Sequence, residues 1–177
     1  MLKKFYPYEH VKSVFDIDYE KLYQQGFRGL VFDIDNTLVH HGDNSNQKID
    51  NLFSYIKKIG FKTLLLTNND EPRVQRFIEN IDTPYICDAN KPEKSCYINA
   101  VKSLNISKEK IICIGDQIFT DILGANRCDI PNILVDFIRL PDERKFGKRR
   151  FVEKMILKTY KISAYRHRLG DIVANNI

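Results

Sequence analysis

Asp33 and Asp35 stand one residue apart in the hexapeptide DIDNTL (33–38), directly behind the apolar run Leu30-Val31-Phe32. Such a run reads as a buried strand, and alternation along a strand sends both carboxylates to one side. Two acids at a buried strand end cost free energy unless something compensates them. They are suited to hold one magnesium ion and one phosphoryl group between them. That requires the chain to turn there, so that one carboxylate and one backbone carbonyl face the metal.

The string Phe32-Asp33-Ile34-Asp35 has a copy upstream, Phe15-Asp16-Ile17-Asp18. Context separates the two. The copy leads into Tyr19-Glu20-Lys21-Leu22-Tyr23, which reads as a short helix whose free N–H groups are capped by Asp18. The other copy leaves a strand and runs into Asn36-Thr37-Leu38, so it is the one assigned to chemistry.

Carboxylates of this kind need a scaffold. Five apolar segments read as strands, at 29–34, 62–67, 84–87, 111–115 and 132–135. Between them, Ile49, Leu52, Phe53, Ile56 and Ile59 fall at helical spacing and end at Gly60. Val74, Phe77, Ile78 and Ile81 form a second face behind Pro72, Tyr97, Ala100, Val101 and Leu104 a third, and 121–127 a shorter fourth. Strands alternating with helices predict an α/β fold, a parallel sheet covered on both faces with right-handed crossovers. In such sheets the ligand site lies at the carboxyl ends of the strands. Asp33, Thr67 and Asp116 each follow a different strand, so three strand ends converge on one edge.

Phosphoryl transfer needs a nucleophile, neutralisation of the phosphoryl oxygens and a proton for the leaving group. Asp33 fits the nucleophile, and Asp35, two residues on, the general acid and base, with its backbone carbonyl still able to reach a metal. Asp116, in Ile114-Gly115-Asp116-Gln117, is the natural third contributor to a magnesium site, and Gly115 reads as the point where the chain turns sharply. Thr67 offers a hydroxyl at a strand end, and the N–H groups that follow it are placed for another phosphoryl oxygen. Lys91 offers a point charge ahead of a helix, with Pro92 holding an extended lead-in. Asp121 has two compatible readings: anchor for Lys91 or a metal-bound water, and N-cap of a helix over 122–127.

DIDNT, LTNN, NKP and GDQxxTD, in this order, resemble the four motifs of the haloacid dehalogenase (HAD) superfamily of phosphatases. From MLKKFYPYEHVKSVFDI through GDQIFTDILGANR to the basic tail, the chain is similar to the YqeG-type branch of subclass IIIA. That branch is related to mitochondrial phosphatases that convert phosphatidylglycerophosphate to phosphatidylglycerol. The resemblance implies a three-layer Rossmann-like core with strand order 3-2-1-4-5 and dependence on Mg2+. It implies Asp33 as nucleophile and Asp35 as acid/base, with phosphate contacts from Thr67, Asn68 and Lys91. Metal contacts are implied from Asp33, the Asp35 carbonyl and Asp116, with Thr37, Gly115 and Asp121 in support.

The 177 residues are 43% apolar and 29% charged, ordinary for one soluble domain with a real core. The expectation is a single domain over 1–177, its core at about 26–140 and a basic amphipathic segment at about 141–168. No run is long enough to span a bilayer, and the amino terminus lacks a signal-peptide stretch, which predicts a cytoplasmic protein. Cys87, Cys96, Cys113 and Cys128 have no metal-like spacing and read as reduced and mostly buried. The net charge of +5 sits in the tail, where 139–168 holds eleven Lys or Arg against three acids.

Neither the segment 39–48 nor the segment 68–90 is long enough for an inserted cap domain, so the site is expected to be open. Open sites suit large or surface-bound substrates. Along 148–162, Phe151, Val152, Met155, Ile156, Thr159 and Ile162 fall on one helical face, and Lys154, Lys158 and Lys161 mainly on another. This face is suited to pack on the domain and to lie on anionic lipid at the inner face of a membrane, two compatible readings. His40 and His41 read as an exposed loop with at most a contact to substrate, and His10 and His167 carry no signal.

The leading expectation is a magnesium-dependent phosphomonoester hydrolase acting through an aspartyl-phosphate, with phosphatidylglycerophosphate as substrate. One rival keeps the chemistry on a soluble nucleotide, sugar phosphate or phosphoprotein. A rival of another class is an RNA- or ribosome-binding module with residual phosphatase activity, although nucleic acid is the less favoured partner.

Overall fold

The computed structural model describes residues 2–139 and 147–174, so 141–146 of the expected basic segment lie outside the described residues. Its elements, in chain order, are β1 (Glu9–Val11), α1 (Tyr19–Gln24), β2 (Gly29–Phe32), α2 (Gln47–Ile59), β3 (Lys62–Leu66) and α3 (Glu71–Phe77). There follow β4 (Tyr85–Ile86), α4 (Lys94–Leu104), β5 (Ile111–Gly115), α5 (Leu123–Arg127), β6 (Asn132–Val135) and α6 (Lys148–Lys161).

One parallel sheet runs β1-β6-β5-β2-β3-β4. The five expected strands are all present in the expected order, and β1 adds an edge strand that the sequence reading missed. Its three residues, Glu-His-Val, show no apolar run; pairing with β6, Glu9 opposite Ile133 and Val11 opposite Val135, makes them a strand.

The central strands β2 and β5 are buried on both faces, as uninterrupted apolar runs in a parallel sheet require. Alternate β2 residues therefore enter different cores. Leu30 and Phe32 pack with Ile49, Phe53 and Ile56 of α2 and with Val74 and Phe77 of α3. Val31 packs with Tyr97, Ala100 and Leu104 of α4 and with Ala125 of α5. The sheet is thus the middle of three layers.

Caps set the helix limits. Asn46 accepts from the N–H groups of Lys48 and Ile49, and α2 ends at Gly60, whose φ of 111° a side chain would oppose. Asp18 accepts from Lys21 N–H, as expected of the decoy. Helix α3 stops at Phe77, earlier than the apolar spacing suggested. Ile81 still reaches the core, because its N–H closes a turn onto the Ile78 carbonyl.

Helix α6 is rotated relative to its apolar pattern. Glu153, Ile156 and Tyr160 are buried, and Ile156 and Tyr160 pack with Tyr6, Ile118, Ile122 and Leu134. Burying Ile156 stabilises the docked helix by about 1.5–3 kcal/mol, and the Tyr160 ring adds less, because its buried hydroxyl has no hydrogen-bond partner among the described residues. Phe151, Val152, Met155 and Ile162 remain 65%, 46%, 48% and 87% exposed, so packing on the domain does not account for the apolar face. Glu153 decides the rotation: it accepts from Phe119 N–H at 3.2 Å, a partner found only against the core, and from Arg150 of the same helix at 3.0 Å. Among the described residues no helix is long and apolar enough to cross a membrane. All four cysteines are free thiols; Cys96 and Cys113 are buried, whereas Cys87 and Cys128 are partly exposed.

Candidate active site

Strand β2 ends at Phe32, one residue before the acids. Asp33 N–H still pairs with the Ile114 carbonyl at 2.9 Å, and then the chain turns. Thr37 and Leu38 N–H return to the Ile34 carbonyl, and Asn36 takes a φ of 64°. The turn cancels the alternation that would have aimed Asp33 and Asp35 the same way. Their side chains meet different partners.

Asp33 faces the ends of β5 and α4. Lys91 Nζ donates to Asp33 Oδ1 at 2.5 Å and to Asp121 Oδ1 at 2.7 Å. The Thr37 hydroxyl lies 3.1 Å from Asp33 Oδ2 and 3.2 Å from Asp116 Oδ1. One carboxylate oxygen from each of Asp33, Asp116 and Asp121 lies within 4.8 Å of the other two. Burial pushes the Asp33 carboxyl up to about 6 against the opposing charge of Lys91. Asp116 is pushed up to about 7 by burial and by the negative charges of Asp33 and Asp121, with Arg150 opposing.

Three carboxylates, Asp116 and Asp121 buried and Asp33 partly exposed, thus share two cationic side chains, Lys91 and Arg150, and the negative charge is incompletely compensated. An all-oxygen donor set with excess negative charge fits a hard divalent cation. In the sequence Asp121 reads as support and the Asp35 backbone carbonyl as a metal contact; in the structure the Asp121 carboxylate joins the cluster, the Asp35 side chain does not, and the carbonyl contact stays an expectation beside it.

Asp35 belongs to a second set of contacts. Its Oδ1 accepts from Arg73 at 2.7 Å and from Gly42 N–H at 3.2 Å, and its Oδ2 accepts from Asn69 at 2.7 Å. His41 Nδ1 approaches Oδ2 at 3.1 Å, which places one of the two loop histidines beside the acid/base candidate. Burial raises the Asp35 carboxyl, but the hydrogen bonds from Arg73, Gly42 and Asn69 and the charge of Arg73 outweigh it and hold it below the usual carboxylate value. Arg73 was missed in the sequence because an arginine in the first turns of a helix after Pro72 looks like a solvated residue. Its burial shows only in three dimensions.

The remaining candidates join the same network. Thr67 Oγ1 accepts from the backbone and side-chain amides of Asn69 at 3.2 and 2.9 Å, and Asn69 in turn holds Asp35. Asn68 uses its side chain on Lys91, accepting from Lys91 N–H at 2.7 Å across a cis Lys91–Pro92 lead-in. Asp121 sits inside a π-helical turn, Ile118–Ile122, where its Oδ2 accepts from Gln117 N–H at 3.0 Å. It therefore caps backwards and is not the N-cap of α5. Gly115 serves close approach and not a sharp turn: a Cβ there would lie 2.4 Å from Asp121 Cγ.

One further residue was not foreseen. Arg150, on α6, donates through Nη1 to the Asp116 carbonyl at 2.8 Å and through Nη2 to Asp116 Oδ2. Its guanidinium also stacks 4.4 Å from the Phe137 ring centre.

A protein named "Probable phosphatase YqeG", from Bacillus subtilis (strain 168), is 38% identical over 163 residues, covering 91% of this chain and 95% of the relative. The chain belongs to the haloacid dehalogenase-like hydrolases, among their phosphatases. The model of the haloacid dehalogenase-like hydrolase family matches residues 42–129, downstream of Asp33 and Asp35. "Phosphatidylglycerophosphate phosphatase 1, chloroplastic/mitochondrial" of Arabidopsis thaliana is 24% identical over 87% of this chain, which spans 47% of that relative. Among solved structures, NagD from E. coli K-12 aligns with a TM-score of 0.54 at 14% identity, covering 68% of this chain and 94% of that one. An uncharacterized protein from Listeria monocytogenes serotype 4b gives 0.54 at 17% identity, with 77% and 100% coverage. These likenesses show the fold.

Proposed function

We propose that the protein is a magnesium-dependent phosphomonoester hydrolase working through a phosphoenzyme on Asp33. One observation carries this: Asp33, partly exposed, emerges at a strand end, gripped by Lys91 and Thr37, in a cluster with the buried carboxylates of Asp116 and Asp121 suited to a divalent cation. Asp33 attacks phosphorus and the ester P–O bond breaks, the leaving oxygen taking its proton from Asp35. Water then attacks the aspartyl-phosphate, gives a proton to Asp35, and releases inorganic phosphate and the free Asp33 carboxylate. Asp33, Asp116 and the Asp35 backbone carbonyl would hold the magnesium ion, with the Asp121 carboxylate in the same cluster; when bound, the ion supplies charge neutralisation for the phosphoryl group. Lys91 neutralises a phosphoryl oxygen, and the amides after Thr67 orient another. The contacts around Asp35 favour its base form, so the first step requires the Arg73 contact to loosen as the carboxyl gains its proton.

The substrate we favour is a lipid phosphate, phosphatidylglycerophosphate being the leading candidate. The lack of an inserted cap between β2 and α2 and between β3 and α4 supports it, as does the exposed apolar face of α6 beside Lys158 and Lys161, on the helix that contacts Asp116. The Arabidopsis relative named for that substrate points the same way.

Two measurements test this. Asp33→Asn should lose magnesium-dependent hydrolysis by more than about 10³-fold while keeping its fold; full activity would end the nucleophile assignment. A panel comparing phosphatidylglycerophosphate in mixed micelles with soluble nucleotides, sugar phosphates and phosphopeptides should favour the lipid. Preference for a soluble ester would leave the chemistry standing and remove the lipid.

A further inference from the structure

The geometry points to Arg150 as a positioning residue: from the C-terminal helix it fixes Asp116 for the divalent cation, so α6 is a wall of the metal site. The inference rests on the metal reading of the Asp33, Asp116 and Asp121 cluster. Asp116 follows β5 with its side chain fully buried, and its two carboxylate oxygens are in different hands. Oδ2 is taken by Arg150 Nη2, while Oδ1 remains on the side of Thr37 and Asp33. Arg150 Nη1 holds the carbonyl of the same residue at 2.8 Å, so backbone and side chain of Asp116 are gripped by one planar group. A guanidinium presents two donors in one fixed plane, which suits this two-point grip, whereas an ammonium is a compact point charge without that fork.

The fork is itself fixed. Glu153, one turn along α6 and buried, accepts from Nη1 at 3.0 Å, and the Phe137 ring covers one face of the guanidinium. Glu153 also ties α6 to the loop after β5 through Phe119 N–H. Groups that orient a metal-binding carboxylate typically change metal affinity 10–100-fold when removed. Nothing in the sequence around Arg150 announces the role. In Lys148-Arg149-Arg150 it reads as one charge of a basic run, and only docking through Ile156 and Tyr160 singles it out.

The test is magnesium binding by calorimetry on the full chain, with no turnover involved. Arg150→Gln should weaken Mg2+ binding by about 10–100-fold, and Arg150→Lys should recover part of that loss. Ile156→Ala, which loosens the helix but leaves Arg150 in place, should change the affinity less than Arg150→Gln does. Circular dichroism and protection of α6 amides from hydrogen exchange report whether the helix stays docked in each variant. Wild-type affinity in Arg150→Gln with α6 docked would overturn the inference, as would tighter binding, which would make Arg150 a competitor of the cation. Equal losses in Arg150→Gln and Ile156→Ala would also overturn it, by making the effect the helix's and not the side chain's. If the wild-type chain binds no Mg2+, the metal reading itself fails, and that result is distinct from the others.

Discussion

At the level of single residues, the site is two charge systems that share a strand end. Asp33 and Asp116 sit where burial and mutual repulsion favour the protonated acid, and Asp35 sits where Arg73 favours the anion. Burial pushes the Asp33 carboxyl up to about 6 and the Asp116 carboxyl up to about 7, against about 4 when unfolded. The folded state therefore binds protons more tightly, and stability from these groups falls as pH rises from about 4 through 7. A divalent cation reverses the penalty but must displace those protons. Saturating magnesium should accordingly raise the melting temperature more at pH 8 than at pH 5.5, and an equal shift at both would contradict the assignment. Arg73 carries the opposite sign. Asp35 has a lowered carboxyl value, so its pairing stabilises the fold above about pH 4 and is lost as pH falls through the folded value. Removing one partner of a buried pair costs about 3–5 kcal/mol. Arg73→Met should thus destabilise the chain by about 3 kcal/mol at pH 7 in urea unfolding, with a smaller difference once the pH is well below 4 and Asp35 is protonated. An undiminished difference at low pH would show that packing against Phe77, and not the ion pair, is what Arg73 contributes.

At the level of elements, the sheet positions these residues through three strand ends, and most of that was readable. Continuous apolar runs specify β2 and β5, and helical spacing with Asn46 and Gly60 specifies α2. Three things were not readable, each for a physical reason. Strand β1 lacks an apolar signature because pairing with β6 makes it a strand. The α6 rotation follows the Glu153 hydrogen bond to Phe119 N–H, which hydropathy does not register. The partners of Asp35 were hidden because the turn after Phe32 breaks the period-two rule at the acids themselves. The motif letters gave the participants, and the turn decided who faces whom. Gly115 illustrates the difference, since the glycine was foreseen and its reason was not. Because a Cβ there would meet the Asp121 carboxylate, Gly115→Ala should push Asp121 away from Lys91. Overpacking of this kind costs about 1–3 kcal/mol. Weakened Mg2+ binding should accompany the lost stability, and a variant with wild-type stability and Mg2+ affinity would show that the loop yields freely.

At the level of the whole molecule, charge and apolar surface are gathered on the C-terminal segment while the site carries excess acid. A surface that met an anionic substrate only through the acidic site would repel it, so the basic helix beside the site offers a second, attractive contact. Phe151, Val152, Met155 and Ile162 are exposed on that helix, and Lys158 and Lys161 are exposed with them. Apolar side chains flanked by lysines favour an anionic bilayer over nucleic acid, because phosphate backbones reward the charge but not the exposed apolar face. Each lysine near such a surface adds roughly 1 kcal/mol. Lys158→Gln with Lys161→Gln should therefore lower partitioning onto phosphatidylglycerol vesicles by about 30-fold, the equivalent of roughly 2 kcal/mol. Phe151→Ser with Met155→Ser should lower it as well and leave less salt-sensitive apolar binding behind. Neither pair touches the carboxylate cluster, so hydrolysis of a soluble ester should stay at the wild-type rate while hydrolysis of a vesicle-borne lipid phosphate falls with partitioning. If the wild-type chain sediments with anionic vesicles no better than with neutral ones, or both pairs of substitutions leave binding unchanged, α6 is a wall of the site and nothing more.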